Sequence, residues 1–159
     1  MIVVSDASPL IALQAVDRLD LLQQLFGTVL IPPAVHDEVF GTAAGTPLSL
    51  PSFINVEHPA ATAVRFLEMG LHRGESEAIA LALDKGIPRI ILDDKQARET
   101  AARLGLSVIG TLGLLMLAKE KGLLDAIRPL ILLMMDRINF RIAPHVLNRA
   151  LSSVGEPSV

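Results

Sequence analysis

Arg89-Ile90-Ile91-Leu92-Asp93-Asp94-Lys95 is a short apolar run, set off upstream by Gly86 and Pro88, that stops on two adjacent carboxylates. Three β-favouring apolar residues bounded by turn formers read as a buried strand. Open α/β sheets place their ligand crevices beyond the carboxyl ends of the strands, so acids at such an end are a candidate site.

Outward from that stretch, strands are predicted at 1–4, 28–31, 90–92 and 107–109, with a minor one at 53–56. Helical patterns fill the intervals. One has Ser8 as cap and Pro9 as first position and runs on an apolar face to Gly27; Pro32-Pro33 opens the next. Others cover Ala60 to Met69, Arg73 to Leu83, Gln96 to Leu104 and about Leu112 to Lys121, the last with Thr111 as N-cap. Gly41 to Pro51 reads as a loop, and two helices between Leu123 and Leu151 are split near Asn139 to Pro144. Alternating strands and helices imply a parallel sheet wrapped by helices. The expected unit is a single domain over 1–151, with 152–159 a flexible C-terminal tail. Leu130 to Met135 is apolar nearly all round, a pattern that suggests burial on two sides, one of them against a partner chain.

Composition narrows the chemistry. The 159 residues include no Cys, Trp or Tyr and only 5 Phe, so disulfides, thiolate metal sites and a Cys nucleophile are excluded. No apolar run approaches the roughly 18 residues of a membrane span, and no basic leader precedes the first strand, so a cytoplasmic protein is expected. The formal charge of -3 advertises no global basic field for nucleic acid. There is no Gly-rich phosphate loop and no G-x-S-x-G elbow, and His36, His58, His72 and His145 show no ligand spacing.

Carboxylates remain. Asp6, Glu38, Glu75 with Glu77, and Asp93 with Asp94 fall near strand ends or helix starts, which a parallel sheet brings to one edge. Like charges so gathered repel, and a cation relieves them. With oxygen donors alone that ion is hard, Mg²⁺ or Mn²⁺, one or two in number, and it suits phosphodiester hydrolysis by an activated water. Each acid also has a plain structural reading. Asp6 can cap its turn with Ser8, Glu38 can be solvated surface, and Glu75 and Glu77 suit the first turn of a helix whatever the chemistry. Lys95, Arg98 and Arg103, just after the acidic pair, suit RNA phosphates or a solvated helix face equally.

The order strand-Asp-x-Ser, P-P-x-V-x-x-E, G-E-x-E-A-I-A-L-A, I-L-D-D-K-x-A-R and V-I-G-T-L-G-L-L resembles the PIN domain. More narrowly it is similar to the compact prokaryotic, VapC-like toxin branch (DUF3368-like). The resemblance implies a three-layer α/β/α sandwich around a mainly parallel sheet of four to five strands. It also implies an Mg²⁺- or Mn²⁺-dependent ribonuclease, the toxin of a toxin–antitoxin pair, commonly a homodimer held inactive by a small antitoxin protein. By motif position the acids are Asp6, Glu38, Glu75 and Asp94, with Asp93 a further ligand and Ser8 and Glu77 in support. Glu75 stands where the family more often has Asp, and Leu92 where it often has a hydroxyl. The alternative is a PIN-fold or receiver-like binding or regulatory protein without nuclease activity. A receiver needs a phospho-accepting Asp downstream of the pair, and only Asp125 and Asp136 follow, both in helical patterns.

Overall fold

Short β-branched segments set the frame, because each is too brief for a helix and apolar on both faces. The computed structural model describes residues 1–41, 48–67 and 70–159. β1 (Ile2–Ser5) leads to α1 (Ala7–Ala15) and α2 (Asp20–Phe26), and β2 (Thr28–Ile31) to α3 (Pro33–Val39). β3 (Ile54–Val56), α4 (Ala61–Leu67) and α5 (Arg73–Asp84) follow, then β4 (Arg89–Ile91), α6 (Lys95–Arg103), β5 (Ser107–Ile109) and α7 (Thr111–Glu120). The chain continues through α8 (Arg128–Arg137) and α9 (Pro144–Ser153).

All strands pair in parallel in the order β3-β2-β1-β4-β5. Val3 and Val4 on β1 are both fully buried and face opposite layers, as do Ile91 and Ile90 on β4. One layer is packed by α1, α2, α7, α8 and α9 with Val35 and Val39 of α3. The other is packed by α5 and α6, whose Ala78, Ala82, Ala97 and Ala101 let the helices lie close to the sheet. The expected α/β/α sandwich is what forms. No helix among the described residues is long and apolar enough to cross a membrane.

Several boundaries differ from the sequence reading. The first helix starts at Ala7, with Asp6 in extended geometry at its N-cap, so Ser8 is inside the helix rather than capping it. It also does not run to Gly27. Asp17 takes a left-handed φ of 54°, a conformation Asp tolerates better than most residues, and the turn there separates α1 from α2. α6 begins at Lys95 because Asp94 caps it, and α7 begins at Thr111 with Gly110 at the cap position. Residues 42–47 of the expected loop, and Glu68 and Met69 at the end of the expected helix, lie outside the described residues. The buried face of α8 is Ile131 and Met134, which leaves Leu132, Leu133 and Met135 exposed.

Residues 152–159, read from the sequence as a tail, touch the body of the fold through Glu156. Its carboxylate accepts from Lys119 Nζ (2.9 Å), Ile127 N–H (2.8 Å) and Arg128 N–H (2.9 Å), so it caps the start of α8. Lys119 Nζ also donates to Val154 O at 2.8 Å. Burial alone would raise the Glu156 carboxyl, but the Ile127, Lys119 and Arg128 donors outweigh it and hold the group below its usual 4.5. A lowered folded pKa contributes stability above 4.5 that is lost as pH falls through the folded value. Glu156→Gln is therefore expected to unfold more easily than the parent at pH 7, by about 1–3 kcal/mol. Urea denaturation should show the two converging in acid, and an equal gap at both pH values would contradict the ion-pair account.

Candidate active site

The strand order reverses between β1 and β4, and the crevice beyond their carboxyl ends is where this sheet class binds ligands. Asp6 follows β1 there, its N–H donating to Ile91 O at 3.1 Å, so the β1–β4 pairing itself fixes its position. Ser5, fully buried, donates its hydroxyl to the Asp6 carbonyl at 2.9 Å. That residue supports the first acid through its backbone. Ser8, the expected supporter, is exposed on the cleft wall. Ser5 follows the strand expected over 1–4, and only the backbone path shows its bond.

Asp6 is 5% exposed. Burial pushes its carboxyl up to about 7; the Ala7 backbone N–H opposes this, while the charges of Glu75, Glu38 and Asp93 add to it. The first turn of α5 passes against it, and a Cβ on Gly74 would lie 3.4 Å from Asp6 Oδ1. In that turn Glu75 is half-buried and accepts from the His72 N–H at 3.2 Å as half of a capping box. Its carboxyl is also raised, first by burial against the opposing His72 N–H, then by Asp94 and Glu38, with His72 acting against them. Glu38 projects from the exposed side of α3 and reaches both groups through its charge.

The adjacent aspartates divide their work. Asp93 accepts from Thr111 N–H at 2.7 Å and from Thr111 Oγ1 at 2.6 Å, which locks its carboxylate against the start of α7. Asp94 accepts from Ala97 N–H at 2.9 Å as the cap of α6. Asp93 is the one whose charge reaches Asp6, whereas Asp94 acts on Glu75. Motif position favours Asp94 as the principal ligand, with Asp93 a second ligand or the cap of the next helix; the geometry gives the capping duty to Asp94 instead.

Glu77, offered as a supporting acid, is engaged with other partners. It is 5% exposed, takes Arg73 Nε at 2.8 Å and Ala34 N–H at 3.3 Å, and so ties α5 to the start of α3. Its effect on the site is to hold Glu38 and Glu75 on neighbouring helices. The long-range bond to Ala34 that ties Glu77 down is not visible in sequence.

Asp6, Glu38, Glu75 and Asp93 form no ion pair with Lys, Arg or His among the described residues. A donor set made of carboxylates, one of them buried among like charges, fits a hard divalent cation in composition. In spacing it is looser: among the described residues no three His, Asp or Glu stand close enough to enclose an ion.

A cleft of about 810 Å³ opens from these acids, with Glu75, Asp93, Asp94 and Arg98 at one end. A Cβ on Gly110 would meet Asp93 Oδ1 at 3.1 Å and Arg98 Nη1 at 3.6 Å, so glycine keeps room where acid and guanidinium converge. Lys95 shares a shallower hollow with Arg98 and Val108. Arg103 is about 7.5 Å further along α6 than Arg98, at roughly 1.5 Å per residue, and does not line the cleft. Arg141, which sequence reading passed over, does line it.

The raised Asp6 pKa has a thermodynamic consequence. A folded value near 7 against 3.8 gives stability that is full below 3.8 and lost as pH rises through 7. Metal-free protein is expected to grow more stable between pH 8 and pH 5, and Asp6→Asn to be more stable than the parent at pH 8 by on the order of a few kcal/mol. Thermal melts in EDTA should show that advantage shrinking toward pH 5; a pH-independent difference would refute the assignment.

A family model described as DUF3368, a PIN domain, matches residues 2–156. Comparison with curated proteins and with solved structures gave no match. PIN domains are generally nucleases and typically use divalent metal ions. The order of the motifs, the all-parallel sheet and the span of the match agree: the chain belongs to the PIN-domain family.

Proposed function

We propose that the protein is an Mg²⁺- or Mn²⁺-dependent ribonuclease acting as the toxin of a toxin–antitoxin pair. The observation that carries this reading is Asp6, a carboxylate buried at the switch point and pushed to about 7 by burial and by three neighbouring acids. A fold that tolerates such repulsion has a use for a cation there. Asp6, Glu38, Glu75 and Asp93 would hold the ion or ions, with Asp94 beside them. An ion held there would supply an acidified water and offset charge on a phosphate oxygen.

The chain's own residues do the rest. Thr111 holds Asp93, and the His72 N–H holds Glu75, so two acids are preset, while Glu38 stands exposed on α3. Acids alone would repel a polyanion. Arg98 at the cleft and Lys95 at its margin supply the positive charge that draws RNA phosphates in. The exposed Leu132, Leu133 and Met135 on α8 support a homodimer, and a small antitoxin encoded nearby is the expected inhibitor.

A second reading, a PIN fold kept for binding without nuclease activity, is favoured by the looseness of the acid group. Mn²⁺ titration by calorimetry separates the two, since absence of heat at millimolar ion with the fold intact would favour the second.

With purified protein and single-stranded RNA, cleavage is expected in Mn²⁺ or Mg²⁺ and not in EDTA. Asp6→Asn and Asp93→Asn should each lower the rate more than about 100-fold, beyond the loss caused by removing an outer-shell partner. Asp94→Asn, which preserves a good helix cap, should retain more activity than Asp93→Asn. The reverse order would return the principal role to Asp94, and full activity in Asp6→Asn would end the proposal.

A further inference from the structure

The cleft is longer than the acid group needs. Beyond Glu75 and Asp93 its walls turn apolar, with Ile11 from α1, Leu112 and Met116 from α7, and Phe140, Ile142 and Val146 from the segment between α8 and α9 and the start of α9. Residues 138–143 are irregular but locally braced. Phe140 N–H donates to Ile138 O at 2.7 Å, a three-residue turn about Asn139, and Asn139 Oδ1 accepts from Arg141 Nε at 3.2 Å. Phe140 is the aromatic residue among the described residues that line the cleft, and it packs against the core.

Two arginines flank this recess, Arg98 from α6 and Arg141 from the strap, and neither has an ion pair among the described residues. Guanidinium groups without an ion pair among the described residues, set beside apolar walls and a group of carboxylates, call for a ligand with an anionic part and a flat, weakly polar part. A phosphate alone has no use for the apolar walls, and an apolar peptide side chain has none for the arginines. A nucleotide has both, and about 810 Å³ is within the roughly 300–1,000 Å³ of small-molecule sites.

We propose that the recess between α1, α7 and the 138–146 strap is a nucleobase subsite, an inference that rests on the ribonuclease reading. It takes one unpaired base against Phe140 while the adjoining phosphate lies among Arg98, Arg141 and the acids. A base in an A-form duplex is stacked and its major-groove edge is out of reach, so the subsite selects single-stranded RNA with a splayed base beside the cleaved bond. Every base has a π face, and stacking on one aromatic ring favours a flat ring over a sugar without reading a long sequence.

The test is methyl-detected NMR on the full chain in EDTA, following Met116 and Ile142, with each of the four nucleoside 5′-monophosphates and with ribose 5-phosphate as the probe lacking a base. Saturable shifts of both methyl groups are expected with at least one nucleotide, and at least roughly tenfold weaker ones with ribose 5-phosphate. Phe140→Leu keeps apolar packing, verified by methyl dispersion, and removes the ring face; it should weaken the nucleotide roughly tenfold and leave ribose 5-phosphate unchanged. No response to any nucleotide, an equal response to ribose 5-phosphate, or indifference to Phe140→Leu would each overturn the subsite. Base binding without RNA cleavage would sink the ribonuclease reading alone, and cleavage without a methyl response would sink the subsite alone.

Discussion

Repulsion among carboxylates at the join of β1 and β4 is the constraint that the surrounding structure answers. The N–H of Asp6 is spent on Ile91 O, so the residue cannot swing away without breaking the central pairing of the sheet. Two apolar layers hold that pairing, with Val3, Val4, Ile90 and Ile91 all fully buried. At about 1.5–3 kcal/mol for each such side chain, they can offset the strain of one unfavourable acid several times over. Helix starts supply the second answer. Asp6 precedes α1, Glu75 is in the first turn of α5, Asp94 caps α6, and Asp93 takes the first N–H of α7. In a parallel sheet every helix that follows a strand begins at the same edge, so several positive helix ends converge on the acids at about 0.3–1 kcal/mol each.

That convergence joins the two readings of each acid. Capping a helix and belonging to an acid cluster are different uses of one location, and the division between Asp93 and Asp94 shows how one dipeptide can serve both. Asp94 closes the turn into α6, which frees Asp93 to be held by Thr111 and to face Asp6. A single acid at this strand end would have to choose between the tasks.

The layers, the parallel sheet and the positions of the acids were legible because they follow from short-range patterns: β-branched runs, Pro and Gly punctuation, and carboxylates at strand ends. What escaped was set by contacts between distant segments. Glu77 is buried by a bond to Ala34, Asp93 is chosen by Thr111, and the far wall of the cleft comes from a strap whose Phe140 and Arg141 carry no motif. The early end of α1 had a local cause, the left-handed Asp17, but an Asp inside an apolar helical pattern does not announce that conformation.

The pairing of Val4 with Ile90 also bears on how the chain folds. β1 and β2 are near neighbours in sequence, and so are β4 and β5, which lets each pair close a modest loop. Joining the two halves must close a much longer one, and its entropy has to be met before the contacts repay it. The acids of the two halves meet only at that step. Their mutual repulsion therefore opposes that long-range closure, and a cation bound among them would favour the closed sheet.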